Sequence, residues 1–81
     1  MKIKGGFFLY EPLFVGDTVI ITSIDFTKEE KIHIGFGDSM KYYKGRQSTV
    51  EDVVFIQGLN AHSIFCSNGY WWPERILQKL L

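Results

Sequence analysis

The stretch GDTVIITSIDF, residues 16–26, decides the class of this chain. A turn pair, Gly16 and Asp17, is followed by the β-branched run Thr18, Val19, Ile20, Ile21, Thr22, in which Val19 and Ile21 fall on one face at a period of two. Branching at Cβ restricts χ1 in a helix and suits a pleated surface, so the run predicts a strand.

Reading onward, DFTKEEK is polar and predicts an exposed loop, with Lys28, Glu29, Glu30 and Lys31 as a solvated mixed-charge run. KIHIGFG alternates Ile32, Ile34 and Phe36 with His33 and Gly35, which predicts a short strand or an extended loop limb. GDSMKYYKG changes the pattern: Asp38 or Ser39 can cap a helical turn near residues 38–44 that carries Met40 and Tyr43 on one side and stops at Gly45. Residues 47–56 read as a strand in which Glu51 and Asp52 interrupt the apolar series of Val50, Val53, Val54, Phe55 and Ile56, the mark of a bulge or bend. GLNAH turns the chain and SIFCS returns it. SNG makes a tight hairpin with positive φ expected at Asn68 and Gly69, and Tyr70 to Trp72 form a last short strand. Pro73 and Glu74 suit the first turn of a helix, so PERILQKLL predicts a short C-terminal helix with Ile76, Leu77, Leu80 and Leu81 on one side.

About five short strands with a helical turn and a terminal helix predict a mainly β fold, a small half-open barrel. The chain has 81 residues and no linker or repeat, so a single domain, 1–81, is expected. Its expected core is Val19, Ile21, Val50, Val53, Phe55, Ile64 and one of Trp71 and Trp72. So short a chain needs large core side chains, and aromatics supply them at 16% of residues.

Nine Lys and Arg balance nine Asp and Glu, which disfavours a general binder of duplex phosphates. Cys66 is the single cysteine and can form no internal disulfide, which fits a reducing cytoplasm. No apolar run approaches the length of a membrane span, and Glu11 and Pro12 interrupt MKIKGGFFLYEPLF too soon for a signal peptide. A soluble cytoplasmic protein without membrane contact is therefore expected.

VGDTVIITSI, MKYYKGRQSTVEDV and NGYWWPERIL together resemble a set of small SH3-like barrel proteins of bacteriophages, prophages and gut bacteria, and more distantly the mind-bomb type of SH3-like domain, which binds protein segments. The resemblance spans residues 15–77 and leaves the apolar N-terminal extension, residues 1–14, uncovered. It implies an SH3-like half-open barrel whose ligand groove lies between the first long loop and the turn after the strand at 47–56. It also implies a mobile-element origin, with a host protein as partner.

The candidate protein-binding residues are Tyr42, Tyr43, Tyr70, Trp71 and Trp72. Adjacent strand positions point to opposite faces, so Tyr70 and Trp72 share one face and Trp71 takes the other. The tryptophan outside the core either lies under a terminal segment or stands in a groove. Lys41, Lys44 and Arg46, beside Tyr42 and Tyr43, offer an alternative: stacking and charge pairing with single-stranded nucleic acid. His33, His62 and Cys66 do not supply the three or four converging ligands of a metal site, and no metal or other cofactor is expected. No nucleophile, base and acid arrangement or phosphate-binding glycine pattern is legible, so an enzyme is not expected. The expectation is a non-catalytic protein-interaction module. Its apolar ends either fold back on the barrel or pair two copies: Phe7, Phe8, Leu9, Tyr10, Leu13 and Phe14 crowd one end, and the aliphatic RILQKLL lies at the other.

Overall fold

The computed structural model describes residues 12–80. Strand β1, Thr18–Ile21, buries Val19 and Ile21 completely and leaves Thr18 in solvent, as its alternation requires. The preceding turn is set by Gly16 at φ 97° and by Asp17, whose Oδ2 accepts the Phe14 N–H at 2.9 Å and lies 3.5 Å from the Lys79 ammonium. The turn extends the ladder between its strand and the neighbouring one: the Gly16 N–H donates to the Val50 carbonyl at 2.8 Å.

Strand β2, Gln47–Ile56, is the hinge of the barrel. Its first residues pair antiparallel with β1, its later ones with β3, Ala61–Cys66, and the register shifts between Val50 and Asp52. That irregularity falls at the acidic interruption read from the sequence. It bends one strand so that its two ends belong to two differently oriented ladders. Strand β4, Trp71–Pro73, adds to β3, and β5, Leu77–Lys79, adds to the far side of β1. The order β4-β3-β2-β1-β5, antiparallel throughout, is that of a small mainly β, half-open barrel.

Three elements differ from the sequence expectation. Residues 28–33 are not an exposed loop leading into a short strand or extended limb but helix α1, Lys28–His33. A capping box nucleates it: Thr27 Oγ1 accepts the Glu30 N–H at 3.1 Å while Glu30 Oε1 accepts the Thr27 N–H at 2.8 Å. Ile34 and Phe36 follow as an irregular limb, half-buried against the core.

The C-terminal helix shrinks to one 3-10 turn, Glu74–Ile76, and Leu77–Lys79 is a strand. The free edge of β1 decides this. The Thr22 N–H donates to the Ile76 carbonyl and the Leu80 N–H to the Thr18 carbonyl, both at 2.8 Å. An unpaired backbone edge on so buried a strand costs more than a two-turn helix returns. Ile76 and Leu77 are still buried, and Leu81 lies outside the described residues.

Positive φ occurs at Gly69 but not at Asn68; among the described residues the non-glycine residue with positive φ is Asn60, in the turn 57–60 between β2 and β3. The helical turn near residues 38–44 is a 3-10 helix, Asp38–Tyr43, which buries Met40 and packs Tyr43 on the core.

The core holds Val19, Ile21, Val50, Ile64, Cys66, Trp72 and Ile76 at 0–1% exposure. Val53 only borders it, and Phe55 is 52% exposed, against expectation. Phe55 stands opposite His62, beyond the last rung between β3 and β4, Ser63 with Pro73, so its ring meets His62 edge-on at 5.3 Å instead of the core. Among the described residues no helix is long and apolar enough to cross a membrane.

Candidate functional site

Long-range pairing of α1 with the 3-10 turn at 74–76 shapes a large open concavity. Arg75 Nε and a terminal nitrogen donate to the two carboxylate oxygens of Glu30, each at 2.7 Å, and the same guanidinium donates to the Asp25 carbonyl. The Arg75 guanidinium holds the Glu30 carboxyl below its ordinary range, against the opposing push of burial, and Glu30 in turn raises Arg75. This fork fixes the first loop, residues 22–46, against the end of the barrel.

Between that loop, the turn 57–60 and the strand end at Pro73 lies an open groove of about 980 Å³. Leu13, Leu59, Ala61, Pro73 and Leu77 make its apolar surface, and Thr27, Glu29, Glu30, His62, Glu74 and Arg75 its polar one. Glu74 Oε1 lies 3.2 Å from His62 Nδ1. A second cleft of about 350 Å³ shares Leu13, His62 and Glu74 with the first and continues along Phe14 and Val15 to Val53. Beside the groove, α1 meets the turn 57–60 directly: a Cβ on Gly58 would fall 2.5 Å from His33 Cε1, so the imidazole packs closely against that glycine.

The five rings read from the sequence do not line this groove. Trp72 is fully buried, so it is the core tryptophan and offers no surface to a partner. Asn68 Oδ1 holds its indole, accepting Trp72 Nε1–H and the Tyr70 N–H at 3.1 Å each. Tyr70 meets Trp72 edge-on at 6.3 Å and Tyr43 at 5.6 Å, and both tyrosines pack half-buried on the core. Trp71 points to the opposite face of the sheet, half-buried beside Phe65 at 5.0 Å. Tyr42 is 67% exposed, with the Lys41 ammonium 5.4 Å from its ring centre. Lys44 and Arg46 are exposed on either side of Gly45, and neither lines the groove.

Cys66 is inert in this setting: burial, with the Glu51 charge adding to it, pushes its thiol up to about 11. Among the described residues no group of three or more His, Cys, Asp and Glu is placed to hold a metal ion. The groove residues that the sequence reading passed over are Thr27, Glu30, Glu74 and Arg75. Thr27 and Glu30 did carry a signal, the T-x-x-E capping box, but the meeting of Glu30 with Arg75 across 45 residues carried none.

No protein-family model matches the chain, and no curated protein or solved structure matches it at a significant level.

Proposed function

We propose that this chain is a non-catalytic interaction module that holds an extended segment of a protein partner in the groove between α1 and the turn 57–60. The observation that carries this reading is the shape and chemistry of that groove. It is an open channel with apolar surface from Leu13, Leu59, Ala61, Pro73 and Leu77, and with carboxylates and an imidazole along it. Enclosed sites suit small molecules, whereas an open apolar channel with polar borders suits a peptide whose alternate side chains enter it. The resemblance to phage-type barrels adds a host protein as the partner class.

Peptides selected from a random library on the purified chain test the proposal. They are expected to lose binding to Leu59→Asp and to keep it with Tyr42→Ala. Selected peptides that bind Leu59→Asp as well as the native chain would remove the groove from consideration.

A second reading, contact with single-stranded nucleic acid, draws on Tyr42 with Lys41 beside its ring and on the exposed Lys44 and Arg46. Oligonucleotide retention that falls with salt and vanishes when Lys41, Lys44 and Arg46 are all replaced by Ala would favour it.

A further inference from the structure

We infer that residues 1–11 of the same chain dock in this groove and act as an intramolecular competitor that a partner must displace. The inference deepens the groove reading above and rests on it. Residues 1–11 lie outside the described residues; the argument comes from where the described chain starts and from the sequence before it.

Leu13 is 6% exposed and lines both the groove and the second cleft, which shares His62 and Glu74 with it. The second described residue, Leu13, is therefore part of the wall of both clefts, together with His62 and Glu74. Eleven residues span at most about 36–40 Å when extended, and the longest dimension of the described protein is 41 Å. Both clefts are thus within reach. A tether this short gives an effective concentration on the order of millimolar, so a segment whose free peptide binds at ~0.1 mM would be docked about nine-tenths of the time.

The chemistry matches at two levels. Phe7, Phe8, Leu9 and Tyr10 form an apolar block suited to the surface of Leu59, Ala61, Pro73 and Leu77. Lys2 and Lys4, against the single acid Glu11, complement a channel in which Glu29, Glu30 and Glu74 outnumber Arg75. Gly5 and Gly6 separate the basic part from the apolar part and permit a bend between them.

The test compares amide NMR spectra of the full chain, of a chain starting at Pro12, and of the full-length double variant Phe7→Ser, Phe8→Ser. Docking is expected to shift the amides of Leu59, Ala61 and Leu77 between the full chain and both altered forms, so the double variant decides the matter even where truncation harms folding. A synthetic peptide of residues 1–11 is expected to restore the full-chain positions in the shortened protein and to bind the full chain about tenfold more weakly. Unchanged amides at those three residues in the double variant would overturn the inference. So would shifts that grow with protein concentration together with a dimer in light scattering, since the segment would then belong to a second copy.

The two readings fail separately. Library peptides that depend on Leu59 but bind the full and shortened chains equally would leave the groove and remove the competitor. Docking of residues 1–11 with no library peptide bound by the shortened chain would leave the docking but remove the partner reading, and with it the competition.

Discussion

Arg75 forks onto Glu30, 45 residues earlier in the chain, through two hydrogen bonds of 2.7 Å each. Glu30 is also the residue that closes the capping box of α1. One carboxylate therefore starts the helix and locks it to the barrel.

Arg75→Ala should cost about 1–3 kcal/mol, because it leaves a nearly buried carboxylate without its charge partner; the half-exposed guanidinium keeps the figure below that of a fully buried pair. The folded-state pKa of Glu30 is lowered, so its contribution is complete above the ordinary value of 4.5 and is lost as the pH falls below it. Urea unfolding between pH 7 and pH 3 checks this. The native protein should lose more stability over that range than Arg75→Ala, and equal losses would contradict the pairing.

Ile21 is fully buried on β1. Ile21→Ala should cost roughly 2–5 kcal/mol, a large share of the stability of so small a domain. Thr18→Ala, at a solvent position on the same strand, should change stability by about 0.5 kcal/mol or less. Chemical denaturation of the two variants distinguishes a buried face from a generally tolerant strand.

Asn68→Ala removes the acceptor of both the Trp72 indole N–H and the Tyr70 N–H. Trp72 is fully buried, so its donor is left without a partner, at a cost of about 1–3 kcal/mol. A weakened near-ultraviolet aromatic signal in the still-folded variant should accompany the loss. A variant as stable as the native chain would mean that Asn68 does not hold the indole.

Gly58→Ala forces the His33 ring away from the turn 57–60, because the new Cβ would fall 2.5 Å from Cε1. The ring is the far end of a flexible side chain, so the cost should stay near 1 kcal/mol. His33→Ala should relieve it, giving a coupling of about 0.5 kcal/mol or more in a double-mutant cycle. Strict additivity would show that the two residues do not touch in solution.

The Cys66 thiol is fully buried, with its pKa pushed up to about 11. In native buffer near neutral pH it should react with a thiol reagent only as fast as the protein opens, and at the rate of a free thiol in denaturant. Rapid labelling of the folded chain would place the residue at the surface.

Local pattern was enough for several features that depend on neighbours within a few residues, although the equally local capping box of Thr27 and Glu30 was read as a loop. The inward pair Val19 and Ile21, the bend at Glu51 and Asp52, the turn that buries Met40, and the placing of Trp71 on the face opposite Tyr70 and Trp72 all follow from side-chain period and turn chemistry. Pairing over long stretches of chain was decided elsewhere. RILQKLL fits a helical period, yet Leu77 faces Ile21 and Lys79 faces Val19, because the open edge of β1 needed backbone partners. Which tryptophan enters the core depended on where β3 carries β4, since Ile64 faces Trp72 on the inner side and Phe65 faces Trp71 on the outer. The groove draws on Leu13, Glu30, Leu59, His62 and Arg75, which meet only once the barrel has closed. Periodicity gives the side on which a residue lies; its distant neighbour is chosen by burial and by the satisfaction of backbone and charge across the whole chain.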